Sequence, residues 1–321
     1  MGFGVVGQRL CQLLAADSVS TPVVVTGRPA KERDTLVELN LDDVDVVDIS
    51  GGWDTLAVEV LVLSSPEHRH VDEARAALAQ GCHVVSLADS ASSVSELLSL
   101  AEFAREIDRA VIVGAAASPG LSTLLAMHGA ALFETIEEIA IAVTGTAGTA
   151  CIERRSRANR TEMQEWRDGM WVDCGPRSAP ELVFFPDPVG SVECARGDLS
   201  EALLLRRTLP TVDIFSVKVA KEPISAVPRG FLKRRRNIEL EPGAQRVSVS
   251  GWVDGASETV VYGAVASTRD LSADLAQLAA WAVLADHRVG AFGICEVLDA
   301  KETLRTLAER GHQILVYEGE D

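Results

Sequence analysis

The first seven residues of the chain contain three glycines at a spacing that can serve a nucleotide. Gly2, Gly4 and Gly7 follow the pattern G-x-G-x-x-G, and leucines at helical spacing come directly after them. This pattern is typical of the turn between a buried strand and a helix, where the backbone approaches the pyrophosphate of a dinucleotide. Together with Val5 and Val6, which would open the helix, these glycines are predicted to bind a dinucleotide cofactor.

A basic residue occupies the position that usually determines which of two related dinucleotides is bound. The β-branched run TPVVVT ends at Thr26 and is followed by Gly27 and Arg28. An acidic residue here would accept a hydrogen bond from the ribose 2′-hydroxyl of NAD, whereas arginine pairs with the 2′-phosphate of NADP. We therefore predict NADP, with Arg28 as its reader and Lys31 and Arg33 as helpers, and keep NAD as the alternative. Three solvated basic residues on a loop would explain the same pattern.

The segment SSPEHRH lies at the end of another strand pattern. Ser64, Ser65 and Pro66 would stand at the carboxyl edge of a parallel sheet, where such sheets bind ligands, and are predicted to contact the cofactor. His68 and His70 follow two residues apart, a spacing that directs them to different sides of a helix. We expect both histidines at the surface.

Two further groups of residues are candidates for binding. Ser118 is predicted to cap a helix whose first position is Pro119, and Gly120 would allow close approach of the cofactor. Arg154 and Arg157 belong to an arginine cluster that is suited to gripping a substrate carboxylate. A solvent-exposed helix face that pairs these arginines with nearby glutamates explains the cluster equally well.

The composition of the chain limits the kinds of partner that it is expected to bind. The 321 residues carry a net charge of -17, which disfavours nucleic acid and anionic membranes, so a small-molecule substrate is expected. Six cysteines are scattered without a C-x-x-C pair, which argues against a disulfide framework and against a metal site. With neither a signal-peptide pattern nor an 18-residue apolar run, we expect a cytoplasmic protein.

Strand and helix patterns alternate through the first part of the chain and then give way to longer strands. Predicted strands lie at 21–26, 43–49, 58–65, 82–89 and 110–116, and Ser93 with Glu96 would form a capping box at a helix start. The pattern predicts an α/β fold: a Rossmann-type doubly wound parallel sheet without its first strand, joined to a second α+β substrate domain. We assign residues 1–125 plus 286–321 to the dinucleotide-binding domain and 126–285 to a domain for substrate and homodimer formation.

Four stretches together resemble the saccharopine dehydrogenase-like family of NAD(P)-dependent oxidoreductases: GFGVVGQRL, VVVTGRP, ALAQGCHVVSLAD and VGAAASPGLSTLLA. The resemblance extends over most of the chain. It implies hydride transfer to or from an imine or secondary amine of an amino-acid-like substrate, with Ser118, Pro119 and Gly120 on the nicotinamide side. It carries over no catalytic residue. An enoyl or ketone reductase for carrier-bound acyl groups and a non-catalytic NADP-binding sensor remain alternatives.

The strand that should precede the glycine turn is not in the sequence. The glycine spacing is then accidental, or part of the cofactor site has been lost, or the strand lies upstream of the assigned start. Its place is the centre of the sheet, where its loss would leave two unpaired edges. We expect about five to seven apolar, β-branched residues upstream of Gly2 in the natural product. The 321-residue form is then expected to bind NADPH poorly and to expose an aggregation-prone edge.

Overall fold

The computed structural model describes residues 1–54, 56–145, 148, 151–153, 163–175, 179–197, 200–220 and 242–317. Its helices are α1 Val5–Ala15, α2 Pro29–Glu38, α3 His70–Ala79, α4 Ala91–Leu98, α5 Ala101–Glu106, α6 Leu121–Ala130, α7 Ser200–Thr208, α8 Thr268–Ala285, α9 Ile294–Val297 and α10 Ala300–Glu309, with a 3-10 turn at Glu67–Arg69. Its strands are β1 Val23–Thr26, β2 Asp45–Asp48, β3 Val60–Leu63, β4 His83–Ser86, β5 Ala110–Val113, β6 Thr135–Val143, β7 Met163–Arg167, β8 Met170–Cys174, β9 Glu181–Phe184, β10 Ser191–Arg196, β11 Ile214–Ala220, β12 Gly243–Val253, β13 Ala256–Ala266, β14 Gly290–Gly293 and β15 Gln313–Tyr317.

The first part of the chain builds parallel strands with helices between them. β3, β4, β5 and β14 form one sheet in the order β14-β5-β4-β3, and β1 and β2 form a parallel pair. All four residues of β5 are buried, as expected for a strand covered by helices on both faces of its sheet. The structure confirms the predicted Rossmann-type doubly wound arrangement.

A gap separates the two groups of parallel strands. Among the described residues no strand pairs β1 with β3, although Val25 of β1 shares a buried cluster with Leu61 and Leu63 of β3. Within the described ranges, Met1 approaches the open edge of β3, where its nitrogen lies 2.5 Å from the carbonyl oxygen of Val62. Of the described residues, Met1, directly before the glycine turn, is thus the one that pairs with β3 at the central position of the sheet.

The second domain contains a mixed sheet of nine strands. Its main path runs β15-β13-β12-β6-β11-β10-β9, and the β7–β8 hairpin joins it through β11. The pair β6–β11 is parallel and the other pairs are antiparallel. Helix α6 packs on β12 and helix α8 on α1. This sheet confirms the predicted α+β domain.

The C-terminal segments are shared between the two sheets. Strand β14 extends the parallel sheet beside β5, whereas β15 pairs with β13 in the mixed sheet. The exact division into 1–125 plus 286–321 and 126–285 stays a prediction.

Two predicted helix starts are wrong. Helix α4 begins at Ala91, and its N-cap is Ser90, whose hydroxyl accepts a hydrogen bond from the Ser93 N–H. The predicted capping box at Ser93 is therefore one turn too late. Helix α6 has Gly120 as its N-cap without a side-chain cap, so Ser118 is free for a different contact.

Candidate functional site

A cavity of about 1140 Å³ lies between the two sheets. Its walls come from the glycine turn, the carboxyl ends of β1, β3, β4 and β5, and the facing residues of β6, β12, β13 and α8. Most of the predicted cofactor-binding residues line it: Gly2, Gly4, Val5, Val6, Arg28, Ser64, Ser65, Pro66 and Ser118. Gly7, Pro119 and Gly120 are not among the lining residues.

The three glycines of the turn differ in how much space the structure leaves for a Cβ atom. Gly2 has φ +91°, and a Cβ there would lie 2.3 Å from the Ser65 nitrogen. A Cβ on Gly7 would lie 2.1 Å from the Gly2 carbonyl oxygen. Gly4 is the exception, because its Cβ would meet no atom within 4 Å. Gly2 and Gly7 thus close the turn, whereas Gly4 leaves open space on the cavity wall.

Helix α1 directs its N-terminus into this space. Gly4 is its N-cap and supplies no side-chain hydrogen bond, while Val5 and Val6 of the first turn line the cavity. The first N–H groups of a helix have no partner within the helix, and the helix dipole adds a partial positive charge. Together with the room left by Gly4, these groups fit a pyrophosphate.

Charged residues gather at the end of β1. Arg28 lines the cavity with its side chain 71% exposed, and its Nη2 lies 3.9 Å from Oε1 of Glu32, whose side chain is only 4% exposed. Lys31 also lines the cavity, whereas Arg33 does not. Two of the three predicted basic residues therefore reach the site. Sequence analysis missed Glu32, which brings a carboxylate beside them.

The prediction for His70 is wrong. The 3-10 turn at Glu67–Arg69 rotates the chain before α3 begins, so that His70 is buried while His68 is exposed. Because a carbonyl oxygen only accepts hydrogen bonds, the His70 Nε2–H donates to Ser65 (2.8 Å), and Nδ1 accepts from the Ser86 hydroxyl at 2.9 Å. Burial lowers the pKa of His70 to about 4. The neutral imidazole thus fastens the Ser65 loop to β4.

A second set of contacts fixes the same loop. The Ser65 hydroxyl donates to Oε2 of Glu73 at 2.5 Å, and the Arg69 guanidinium lies 3.0 Å from the other oxygen of Glu73. Glu73 is buried in α3. The Ser64–Pro66 part of the cavity wall is therefore held from two sides.

The loop after β5 is held by the second domain. The Ala117 N–H donates to the Ser272 hydroxyl (3.0 Å), and the amide of Gln245 donates to the Ala117 carbonyl (2.6 Å). Gly120 is needed for a different reason from the predicted approach of a ligand, because a Cβ there would lie 1.7 Å from the Ala116 carbonyl oxygen. Residues of α8 and β12 thus fix the cavity-facing backbone beside Ser118.

Acidic and sulfur-bearing side chains line the opposite part of the cavity. Oε2 of Glu67 accepts hydrogen bonds from the N–H groups of Asp89 (3.3 Å) and Ser90 (3.0 Å). The Cys151 sulfur lies 3.6 Å from Oδ2 of Asp89. Glu153 also lines this part, which sequence analysis did not identify. The predicted substrate residues Arg154 and Arg157 lie outside the described residues.

The described part of the chain contains no cluster of three or more His, Cys, Asp or Glu side chains arranged to hold a metal ion. Within the same ranges, no helix combines the length and the apolar character that crossing a bilayer requires.

No family model matches the sequence, and no curated protein matches it. Several solved structures, however, are similar to this chain in fold. The apo saccharopine dehydrogenase (L-Glu forming) of Saccharomyces cerevisiae superimposes with a TM-score of 0.71 at 12% identity, covering 99% of this chain and 98% of that one. The DAP dehydrogenase of C. glutamicum in complex with DAP gives 0.57 at 15% identity, with 97% of each chain covered. An engineered D-amino acid dehydrogenase bound to NADP+ gives 0.54 at 17% identity, again with 97% of each chain covered. The chain has a saccharopine dehydrogenase-like fold.

Proposed function

We propose that this chain is an NADP-dependent oxidoreductase that transfers hydride to or from the carbon–nitrogen bond of an amino-acid-like substrate. The carrying observation is the open space at Gly4, in front of the N-terminus of α1, inside the cavity of a saccharopine dehydrogenase-like fold. The bound dinucleotide would supply the hydride. The protein's part is to bind, orient and shield the reacting groups.

The charges at the end of β1 support NADP as the preferred cofactor. Arg28 and Lys31 line the cavity, and a guanidinium matches the geometry of a phosphate group. Oε1 of Glu32 lies 3.9 Å from Nη2 of Arg28, beyond hydrogen-bond distance, and one carboxylate does not neutralise both basic side chains. The ribose of NAD lacks the 2′-phosphate and would form no ion pair with Arg28 or Lys31.

The size of the cavity supports a second ligand beside the cofactor. Its volume of about 1140 Å³ exceeds the usual range of about 300–1,000 Å³ for a pocket that takes a single small molecule. Asp89 and Glu153 contribute carboxylates to the wall, which suits the ammonium group of an amino acid. Two similar structures, a DAP dehydrogenase in complex with DAP and a D-amino acid dehydrogenase, are of enzymes that act on this chemical class. A small-molecule substrate in the cytoplasm completes the proposal.

The protein would orient this pair through the loop after β5. Ala117 is fixed from both sides by Ser272 and Gln245, so the adjacent Ser118 side chain presents its hydroxyl at a defined position. Leu121 and Leu271 add apolar surface to the same wall. Apolar walls exclude water and strengthen the electrostatic contacts of the reacting groups.

Oxidation of NADPH, followed by its absorbance, tests the proposal. The purified chain is supplied with 2-oxo acids paired with amino acids or ammonia, and separately with simple ketones and enoyl thioesters. We expect substrate-dependent NADPH oxidation with the first group. Turnover confined to the thioesters would replace the proposed substrate class. Binding of NADPH without turnover on any substrate would instead favour a sensor.

A further inference from the structure

A buried carboxyl group lies directly behind the cavity wall. Glu201, on the first turn of α7, is 1% exposed and does not line the cavity. Three hydroxyls donate hydrogen bonds to it: those of Ser118 and Ser122 (3.1 Å) to Oε1, and that of Ser200 (3.0 Å) to Oε2. Of the three serines, Ser118 alone also lines the cavity. Its hydroxyl therefore joins the buried carboxyl to the place where the ligands would lie.

We propose that Glu201 exchanges a proton with the substrate through the hydroxyl of Ser118. This proposal rests on the proposed function and adds the residues that handle the proton. Glu201 touches no ligand itself, so Ser118 is the group that contacts the substrate.

The proton balance is simple. Addition of hydride to the carbon of a C=N bond leaves an electron pair on nitrogen, which takes the hydroxyl proton of Ser118. The Ser118 oxygen takes the carboxyl proton of Glu201 in return. Glu201 is left as a carboxylate that accepts hydrogen bonds from three hydroxyls, the arrangement that the structure shows. Oxidation of an amine runs the same transfers backwards.

The surroundings of Glu201 allow both protonation states. Burial raises the pKa of Glu201, and the hydrogen bonds from the three serines oppose this rise. The two arginines of α7 have other partners: Arg206 stacks on a tryptophan ring, and Arg207 pairs with a glutamate at 2.8 Å. The other ionisable groups on elements packed against α7 are Glu96, His128, Cys295, Glu296 and Lys218.

A matched pair of variants isolates the hydroxyl. Thr and Val have the same shape, so Ser118→Thr keeps the hydroxyl and Ser118→Val removes it while filling the same space. The C=O stretching band of protonated Glu201 is identified in the infrared difference spectrum between the wild type and Glu201→Gln. Its rate of proton–deuteron exchange after mixing with D₂O is then compared between the two variants. This measurement needs neither cofactor nor substrate.

We expect fast exchange in the wild type and in Ser118→Thr, and exchange slower by about tenfold or more in Ser118→Val. In the NADPH oxidation assay, kcat should be about 100-fold lower in Ser118→Val than in Ser118→Thr, the size of a typical general acid–base contribution. Thr208→Val, which removes a hydroxyl of α7 bonded to the Leu205 carbonyl, should keep the wild-type kcat.

Two results would overturn the relay: equal exchange rates in the Thr and Val variants, or no Glu201 carboxyl band at any pH at which the protein stays folded. Titration with NADPH separates this failure from failure of the proposed function. If NADPH binds all variants while exchange is unaffected by the hydroxyl, the relay is wrong and the cofactor proposal stands. If exchange follows the hydroxyl but NADPH never binds, the cofactor proposal is wrong, and only the proton path from Glu201 through Ser118 to the cavity stands.

Discussion

The backbone N–H of Ser64 donates a hydrogen bond to the carbonyl of Met1 at 2.8 Å. Together with the contact between the Met1 nitrogen and the Val62 carbonyl, this places Met1 beside Leu63 in parallel register. Met1 thus makes a single step of strand pairing on β3. The rest of that edge, and the facing edge of β1, have no strand partner among the described residues.

An added strand should fill this gap. An N-terminal extension of about six alternating Val, Thr and Ile residues, a usual strand length, is expected to pair with both edges. Its hydrogen bonds, at about 1 kcal/mol each, less the cost of ordering the added residues, should raise the free energy of unfolding by roughly 2–4 kcal/mol, as measured by urea denaturation. An extension of equal length made of Gly and Ser is the control. Equal stability of the two extended proteins would show that the gap does not accept a strand.

Arg28 should govern the choice of cofactor. Arg28→Ala is expected to weaken NADPH binding by about 1.5–3 kcal/mol, the value of hydrogen bonds to charged groups, and to leave NADH affinity nearly unchanged. Fluorescence titration with both dinucleotides measures the difference. Arg33→Ala removes the same charge from α2 outside the cavity and controls for net charge. Equal losses in the two variants would mean that Arg28 acts only through the overall field.

His70 should make the protein sensitive to mild acid. Its folded pKa of about 4 lies below the ordinary value of about 6.5, so the unfolded chain binds the extra proton first as the pH falls. Between these values the wild type should lose up to about 1.4 kcal/mol per pH unit, roughly 3 kcal/mol in all. His70→Gln should show a flatter profile of unfolding free energy against pH. The exposed His68→Gln is the control, and matching slopes in both variants would contradict the buried neutral imidazole.

A buried carboxylate on α8, that of Asp274, should stabilise the packing of α8 against the turn between α10 and β15. Oδ1 of Asp274 lies 2.5 Å from Nη1 of Arg310, and Oδ2 of Asp274 lies 2.7 Å from Nε2 of His312. Burial alone would raise the pKa of Asp274, but the hydrogen bonds from His312 and Arg310, together with the positive charge of Arg310, outweigh it and lower the pKa. Asp274→Ala removes the carboxylate from both partners, leaves Arg310 with its hydrogen bond to Gln277, and should cost about 3 kcal/mol at neutral pH.

The sign of its pH dependence follows from the lowered pKa. A carboxyl whose folded pKa is lowered stabilises the protein above its unfolded pKa of about 3.9 and loses this contribution as the pH falls through the folded value. The difference between the wild type and Asp274→Ala, taken from urea unfolding at several pH values, should therefore shrink in strong acid. A constant difference would assign the effect to packing instead.

Local patterns allowed much of this molecule to be predicted. The glycine spacing predicted a turn whose Gly2 and Gly7 cannot carry a Cβ, and the β-branched runs predicted the parallel strands. The contact of Ser118 with Glu201 joins residues 83 positions apart, and that of Gln245 with Ala117 spans 128. Such pairs depend on how the second sheet packs over the first, which no local spacing encodes. The sequence prediction for His70 was wrong because it treated His68 and His70 as parts of one helix. A 3-10 turn precedes α3 and changes the direction in which the His70 side chain points.

The proposed cofactor site depends on the space in front of Gly4, and one titration tests it. Gly4→Ala adds a methyl that meets no protein atom, so its unfolding free energy should stay within about 1 kcal/mol of the wild type, the usual range for an N-cap change. Calorimetric titration should show one NADPH bound per wild-type chain, weakly because no strand among the described residues fills the centre of the parallel sheet, and no detectable binding to Gly4→Ala. If the variant is equally stable and binds NADPH as tightly as the wild type, the pyrophosphate does not lie at the glycine turn, and the proposed cofactor site is wrong.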